Sequence, residues 1–158
     1  MNEDQIVTTP APPAPVEEGV FDLGNLVTSS TLENNGVWVQ LSKNTKILVA
    51  RENNDRYRRW ISAQANAKRA LIEGTDELSQ ETQRAIVREA YARFILLDVD
   101  NLEVPGHGRI NPRGGPKNFN LTVSMHLMGI KDFFTRVQGF AQQMDLFREK
   151  QEEEIAGN

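Results

Sequence analysis

Apolar side chains at Ile86, Ala90, Phe94 and Leu97 recur at helical spacing, and Val87, Tyr91 and Ile95 widen their stripe. A stripe that broad predicts a helix over residues 79–98 that is buried on much of its girth, so the rest of the chain has to be arranged around it. Glu77 and Glu81 near its start suit the positive end of the helix dipole. Tyr57, Trp60, Ile61, Ala65 and Leu71 set out a second helix over residues 55–73, and Gly74 supplies its stop. A third begins at Ile130 and continues through Phe133, Phe134, Val137, Ala141, Met144 and Phe147. A short helix over residues 121–128 fits between that one and Gly129.

Two runs break the helical period. Residues 37–41 (Val-Trp-Val-Gln-Leu) and 47–50 (Ile-Leu-Val-Ala) are rich in β-branched and aliphatic side chains, and Ser42, Lys43, Asn44 and Thr45 between them have turn chemistry. They read as a hairpin, and two strands alone are marginal in water, so the pair must rest on helices. The expected fold class is therefore α+β and predominantly helical, with a small N-terminal β-hairpin packed on three main helices. Pro10, Pro12, Pro13 and Pro15 mark residues 1–19 as a disordered Pro/Ala-rich tail. Residues 20–148 form a single domain, and Glu149 opens an acidic tail over 149–158. Phe21, Leu23 and Leu26 form a short apolar patch, read as an edge strand or a strap across the domain. Within the domain, residues 101–120 carry Pro105, Gly106, Gly108, Pro112, Gly114, Gly115 and Pro116 and read as a long loop.

Catalytic chemistry finds little to stand on. The chain of 158 residues has no cysteine, which removes disulfides, thiolate metal sites and cysteine nucleophiles and suits a reducing compartment. Its two histidines, His107 and His126, lie nineteen positions apart with no further ligand at metal-binding spacing. Ser124 lacks a nucleophile motif, and Asp98 and Asp100 are read as exposed acids closing a helix. The stretch 108–117 is rich in Gly and Arg but fails the spacing of a phosphate loop. No enzyme activity, metal or cofactor is expected. No apolar run is long enough to span a bilayer, and Asn2, Glu3 and Asp4 stand where a secretory signal would be basic, so a cytoplasmic protein is expected.

Charge is unevenly spread. Residues 1–35 hold six acids and no Lys or Arg, whereas 43–69 hold eight bases against Glu52 and Asp55. Arg51, Arg56, Arg58 and Arg59 with Tyr57 and Trp60 could grip phosphates and stack bases. Tyr57 and Trp60 nevertheless share the helix's apolar face, and the acidic flanks repel a polyanion, so nucleic acid ranks below protein as a partner. On the final helix Phe133, Phe134, Phe140, Met144 and Phe147 gather large apolar area, and the portion beyond Met144 is expected to project past the core. The candidate partner-binding residues are thus Phe140, Met144 and Phe147, with Arg56 and Arg59 from the basic block. Phe147 is read as an exposed contact for a partner or for self-association.

The order of the motifs is more specific than any one of them. Phe21-Asp22-Leu23 precedes Gly36-Val37-Trp38-Val39, then Ile47-Leu48-Val49-Ala50-Arg51 and Asn54-Asp55-Arg56-Tyr57. This succession resembles the start of tail assembly chaperones from long-tailed bacteriophages, and the helix from Ala85 and the aromatic helix from Ile130 are similar too. Residues 104–120 depart from that pattern, being longer and richer in Pro, Gly and Arg. The resemblance implies a protein that binds the tape measure protein and recruits tail-tube subunits around it in the host cytoplasm, and that is absent from the mature virion. The alternatives are a structural tail-completion or connector protein and a small nucleic-acid-binding phage protein.

Overall fold

The broad apolar stripe does form the central element. The computed structural model describes residues 19–115 and 117–148; the Pro/Ala-rich stretch up to residue 18 and the acidic run over 149–158 lie outside the described residues. Helix α4 (Glu77–Phe94) buries Ile86, Ala90, Tyr91 and Ala92. Its start is set by Asp76, whose carboxylate accepts from the Ser79 amide at 2.9 Å. Hydrogen bonding by the Ser79 side chain and then its amide holds the Asp76 carboxyl below the usual carboxylate range.

The chain leaves this helix earlier than the apolar period implies. After Phe94 it passes through Ile95 directly into strand β3 (Leu96–Asp100), so residues 96–98 are extended where a helix was expected. Asp98 and Asp100 accordingly sit on a strand and do not close a helix. The competing interaction is pairing with β2 (Lys46–Val49), which matches Lys46 with Asp100, Ile47 with Val99, Leu48 with Asp98 and Val49 with Leu96. A register shift between Leu48 and Val49 leaves Leu97 without an opposite residue, as in a β-bulge. Strand β1 (Val37–Gln40) pairs antiparallel on the other side of β2, so the expected hairpin is two thirds of a three-stranded sheet ordered β1-β2-β3. Gly36 joins helix α1 (Ser30–Asn35) to β1 with φ of +82°, and a side chain there would meet Leu48 and Leu97 at 3.1 Å.

Residues 101–120 are also more ordered in layout than their Pro and Gly content implies. Strands β4 (Leu102–Val104) and β5 (Gly108–Ile110) form an antiparallel hairpin, with Gly106 at φ +81° in its turn. Val104, Ile110 and then Phe119 are buried in the main core. The short strands escape a sequence reading because Pro105, Gly106 and Gly108 dominate the stretch, while only Leu102, Val104 and Ile110 pack on the core.

Helix α2 (Asp55–Ala67) starts at Asn54, whose side chain accepts from the Tyr57 amide at 3.0 Å. The expected single helix over 55–73 is broken at Lys68, and a short α3 (Arg69–Ile72) follows. Helix α5 (Leu121–Met128) lies against α4, where the buried Ser124 hydroxyl donates to the Ala92 carbonyl at 2.7 Å. Helix α6 (Lys131–Ala141) completes the set and packs on α5 and β2. A row of rings crosses the three main helices. Tyr57 of α2 meets Tyr91 of α4 edge-on at 5.9 Å, and Tyr91 meets Phe134 of α6 at 4.8 Å.

The final helix stops at Ala141, and residues 144–147 form a 3-10 turn instead of continuing it. That turn folds back. Phe147 is 0% exposed, and its carbonyl accepts from the Ser29 amide at 2.8 Å, clasping the turn to the start of α1. The expectation of a projecting, solvent-facing Phe147 is therefore overturned: the helix period does not run on to residue 147, and the ring is a core side chain. Phe147→Ala should lower stability by about 3–5 kcal/mol, the cost of emptying a buried aromatic site, and Phe147→Asp should abolish folding. Urea unfolding followed by circular dichroism measures both, and a soluble, fully folded Asp variant would contradict this placement.

Candidate protein-binding surfaces

The basic block is largely engaged within the molecule. Arg51 Nη1 contacts Glu33 Oε1 at 2.6 Å and donates to the Thr28 hydroxyl at 2.6 Å, and that hydroxyl donates to the same Glu33 carboxylate. With side-chain exposures of 26% and 22%, this pair is shielded enough to fix the residues preceding α1. Arg58 pairs with Asp55 at 2.6 Å in the open, where such a contact contributes little. Arg59 Nε reaches the Asp55 carbonyl at 3.3 Å. Arg56 and Arg59 are exposed and line a shallow polar cleft of about 360 Å³ with Ser30, Thr31, Asn34 and Asn35.

The rings that might have partnered these arginines face elsewhere. Tyr57 is 6% exposed, and Trp60 is packed between Phe94, at 6.1 Å, and the Arg93 guanidinium, at 5.8 Å. Tyr57 thus faces the core while Arg56, Arg58 and Arg59 face solvent, so its ring is not open for base stacking.

Of the apolar candidates, Phe140 and Met144 are half-buried and Phe147 is enclosed, so the three do not present one open face. More exposed apolar area lies on the segment preceding α1. Val20, Phe21, Leu23, Leu26 and Val27 are 57, 72, 70, 49 and 67% exposed. Residues 23–26 form a 3-10 turn capped by Asp22, whose Oδ1 accepts from the Gly24 amide at 2.9 Å. This arm is neither edge strand nor strap. Its signal in the sequence is apolar residues with neither a helical nor a strand period, in a stretch free of Lys and Arg.

A second feature is a groove of about 700 Å³ where α4 faces the α5–α6 corner. Val87, Met128 and Phe134 supply its apolar lining, and Arg84, Arg88 and Lys131 stand along it. A third is the meeting of His107, in the β4–β5 turn, with His126 on α5, their ring centroids 4.4 Å apart. No sequence signal brings them together, because the contact depends on the hairpin folding over α5. Among the described residues no group of three or more His, Cys, Asp or Glu side chains is placed to hold a metal ion.

Glu52 marks the remaining polar cluster. Its Oε2 accepts from Gln142 at 2.7 Å, and it lies beside Tyr57 and Tyr91. Burial, and secondarily the Glu52 charge, pushes the Tyr57 hydroxyl up to about 12. The same two causes, in the same order, raise Tyr91 further. The buried Tyr91 hydroxyl lies near Glu52 and Gln138 but makes no hydrogen bond of good geometry among the described residues. Both phenols are neutral at physiological pH, so neither is poised for acid–base work there.

Residues 51–158 match the YdaY prophage protein family. The chain belongs to that family. It is a phage-derived protein, and the matched region runs from the end of β2 through all of α2 to α6, while the exposed arm and β1 precede it. No curated protein and no solved structure matches the chain. No helix among the described residues of this family member is long and apolar enough to cross a membrane.

The tyrosines yield a direct test. A phenol whose folded value lies above its unfolded value of about 10 stabilises the fold fully below that pH, and the contribution is lost as pH climbs through the folded value. For Tyr57 the window therefore opens near pH 10 and closes at about 12. Tyr57 and Tyr91 are the chain's only tyrosines, so phenolate absorbance at 295 nm should appear together with loss of near-ultraviolet circular dichroism. Smooth ionisation near pH 10 in an intact fold would refute the buried placement of both rings.

Proposed function

We propose that this prophage protein is a tail assembly chaperone, which binds the tape measure protein, recruits tail-tube subunits to it, and carries out no chemistry of its own. The observation that carries this reading is the succession of motifs from Phe21 to Tyr57, taken with membership of a prophage family. The Gly36–Val39 stretch and the Ala50–Tyr57 junction are the most specific parts of that succession, and they correspond to β1 and to the Asn54-capped start of α2. An open apolar arm and an apolar groove give such a protein adaptable surface for helical clients of varied sequence. The titratable groups with raised values are buried tyrosines, which suit packing better than catalysis. On this reading the protein acts in the host cytoplasm and is left behind when the tail is complete.

Co-expression with the tape measure protein of the same prophage should yield a stable complex that purifies together, and the tape measure protein should become soluble. Stoichiometric amounts of this chain in purified particles would overturn the proposal in favour of a tail-completion or connector subunit. Salt-sensitive binding to single-stranded nucleic acid, without any tape measure complex, would overturn it in favour of a nucleic-acid-binding protein.

A further inference from the structure

The apolar arm and the α4–α5–α6 groove are complementary in character. The arm offers Phe21, Leu23 and Leu26 as exposed anchors. It carries Asp22, follows Glu17 and Glu18 in the sequence, and belongs to a stretch with no Lys or Arg before residue 43. The groove presents the half-buried Val87 and Phe134 over the enclosed Met128, and its charged side chains are Arg84, Arg88 and Lys131. Arg84 and Arg88 both reach the single carboxylate of Glu81, at 3.2 and 3.6 Å, so one acid answers two guanidinium groups and the ammonium of Lys131 adds a third positive charge. No arm residue lines the groove of its own chain.

We propose that residues 20–27 of one copy dock in the groove of a second copy. The apolar anchors cover Val87 and Phe134, and the Asp22 carboxylate lies toward Arg84, Arg88 and Lys131, a pairing of opposite charges that fixes direction as well as strength. The arm is rooted before it docks. Thr28 is held by Arg51 and Glu33, and the Ser29 amide is bonded to the Phe147 carbonyl, so less freedom remains to be lost on association. Reciprocal exchange of two arms makes a closed dimer, the commonest symmetric assembly, and doubles the area that so short a segment can bury. The chaperone reading draws on the same arm and groove, so dimer and client compete for them, while the dimer itself is read out from contacts between copies of this chain alone.

Sedimentation of the full chain over a wide concentration range tests it. A monomer–dimer equilibrium is expected, and Phe21→Ser combined with Leu23→Ser should weaken it about thirtyfold or more, as loss of buried anchors does. Phe21 and Leu23 are both exposed, so circular dichroism of the doubly substituted arm variant should remain that of the native protein. Lys131→Glu should also weaken the dimer, and adding Asp22→Lys to the same chain should restore it. A wild-type protein that stays monomeric at the highest concentration overturns the proposal. So does a dimer indifferent to both arm and groove substitutions, or concentration-independent protection of the groove, which would seat the arm in its own chain.

Discussion

The C-terminal end of α4 is where this fold is tied together. A helix leaves its last carbonyls without partners inside the helix, and here three different elements supply them. Ser124 of α5 donates to the Ala92 carbonyl, Asn54 at the head of α2 donates to Phe94, and the Ala50 amide at the end of β2 donates to Ile95. Asn54 is 2% exposed and also caps its own helix and bonds the Arg51 carbonyl, so every polar atom of its side chain is used. A buried polar group is costly unless satisfied. Satisfied in this way, it fixes where the helix stops, where α2 starts, and how the sheet meets both.

That arrangement explains which parts of the fold were legible in the sequence. The helical stripe at Ile86, Ala90 and Phe94 depends only on local spacing, as do the hairpin strands. The conversion of residues 96–100 into a strand depends on β2, about fifty positions earlier, and Ile95, Leu96 and Leu97 satisfy a helical period as well as a strand's. Long-range pairing decided between them. The same holds for the hairpin at 102–110, whose Val104 and Ile110 turn inward only because a core is there to receive them. At the surface, Phe140, Met144 and Phe147 illustrate the limit of extrapolating a period beyond a helix end. Arg56 and Arg59 were legible as exposed charges, since nothing apolar sits at their positions, but the inward turn of Tyr57 was visible only as its place on the apolar stripe.

The surfaces left for recognition follow from the same economy. A small domain spends most of its large side chains on its core: the Tyr57–Tyr91–Phe134 row and the Trp60–Phe94 contact absorb much of the aromatic content. The arm before α1 keeps several large apolar side chains open, and Leu71 and Leu78 are open elsewhere; the matched family region includes the groove beside α4 but not the arm.

The clasp between Ser29 and Phe147 has a consequence for the order of events during synthesis. The arm and α1 are made first, yet their anchoring partner is among the last parts of the domain to leave the ribosome. Until then the Ser29 amide is unanswered and the site that receives the Phe147 ring is empty. Thr28 can already be held by Arg51 and Glu33 while the central helix is being made, whereas the Ser29 half of the arm's root forms only once residue 147 has been translated.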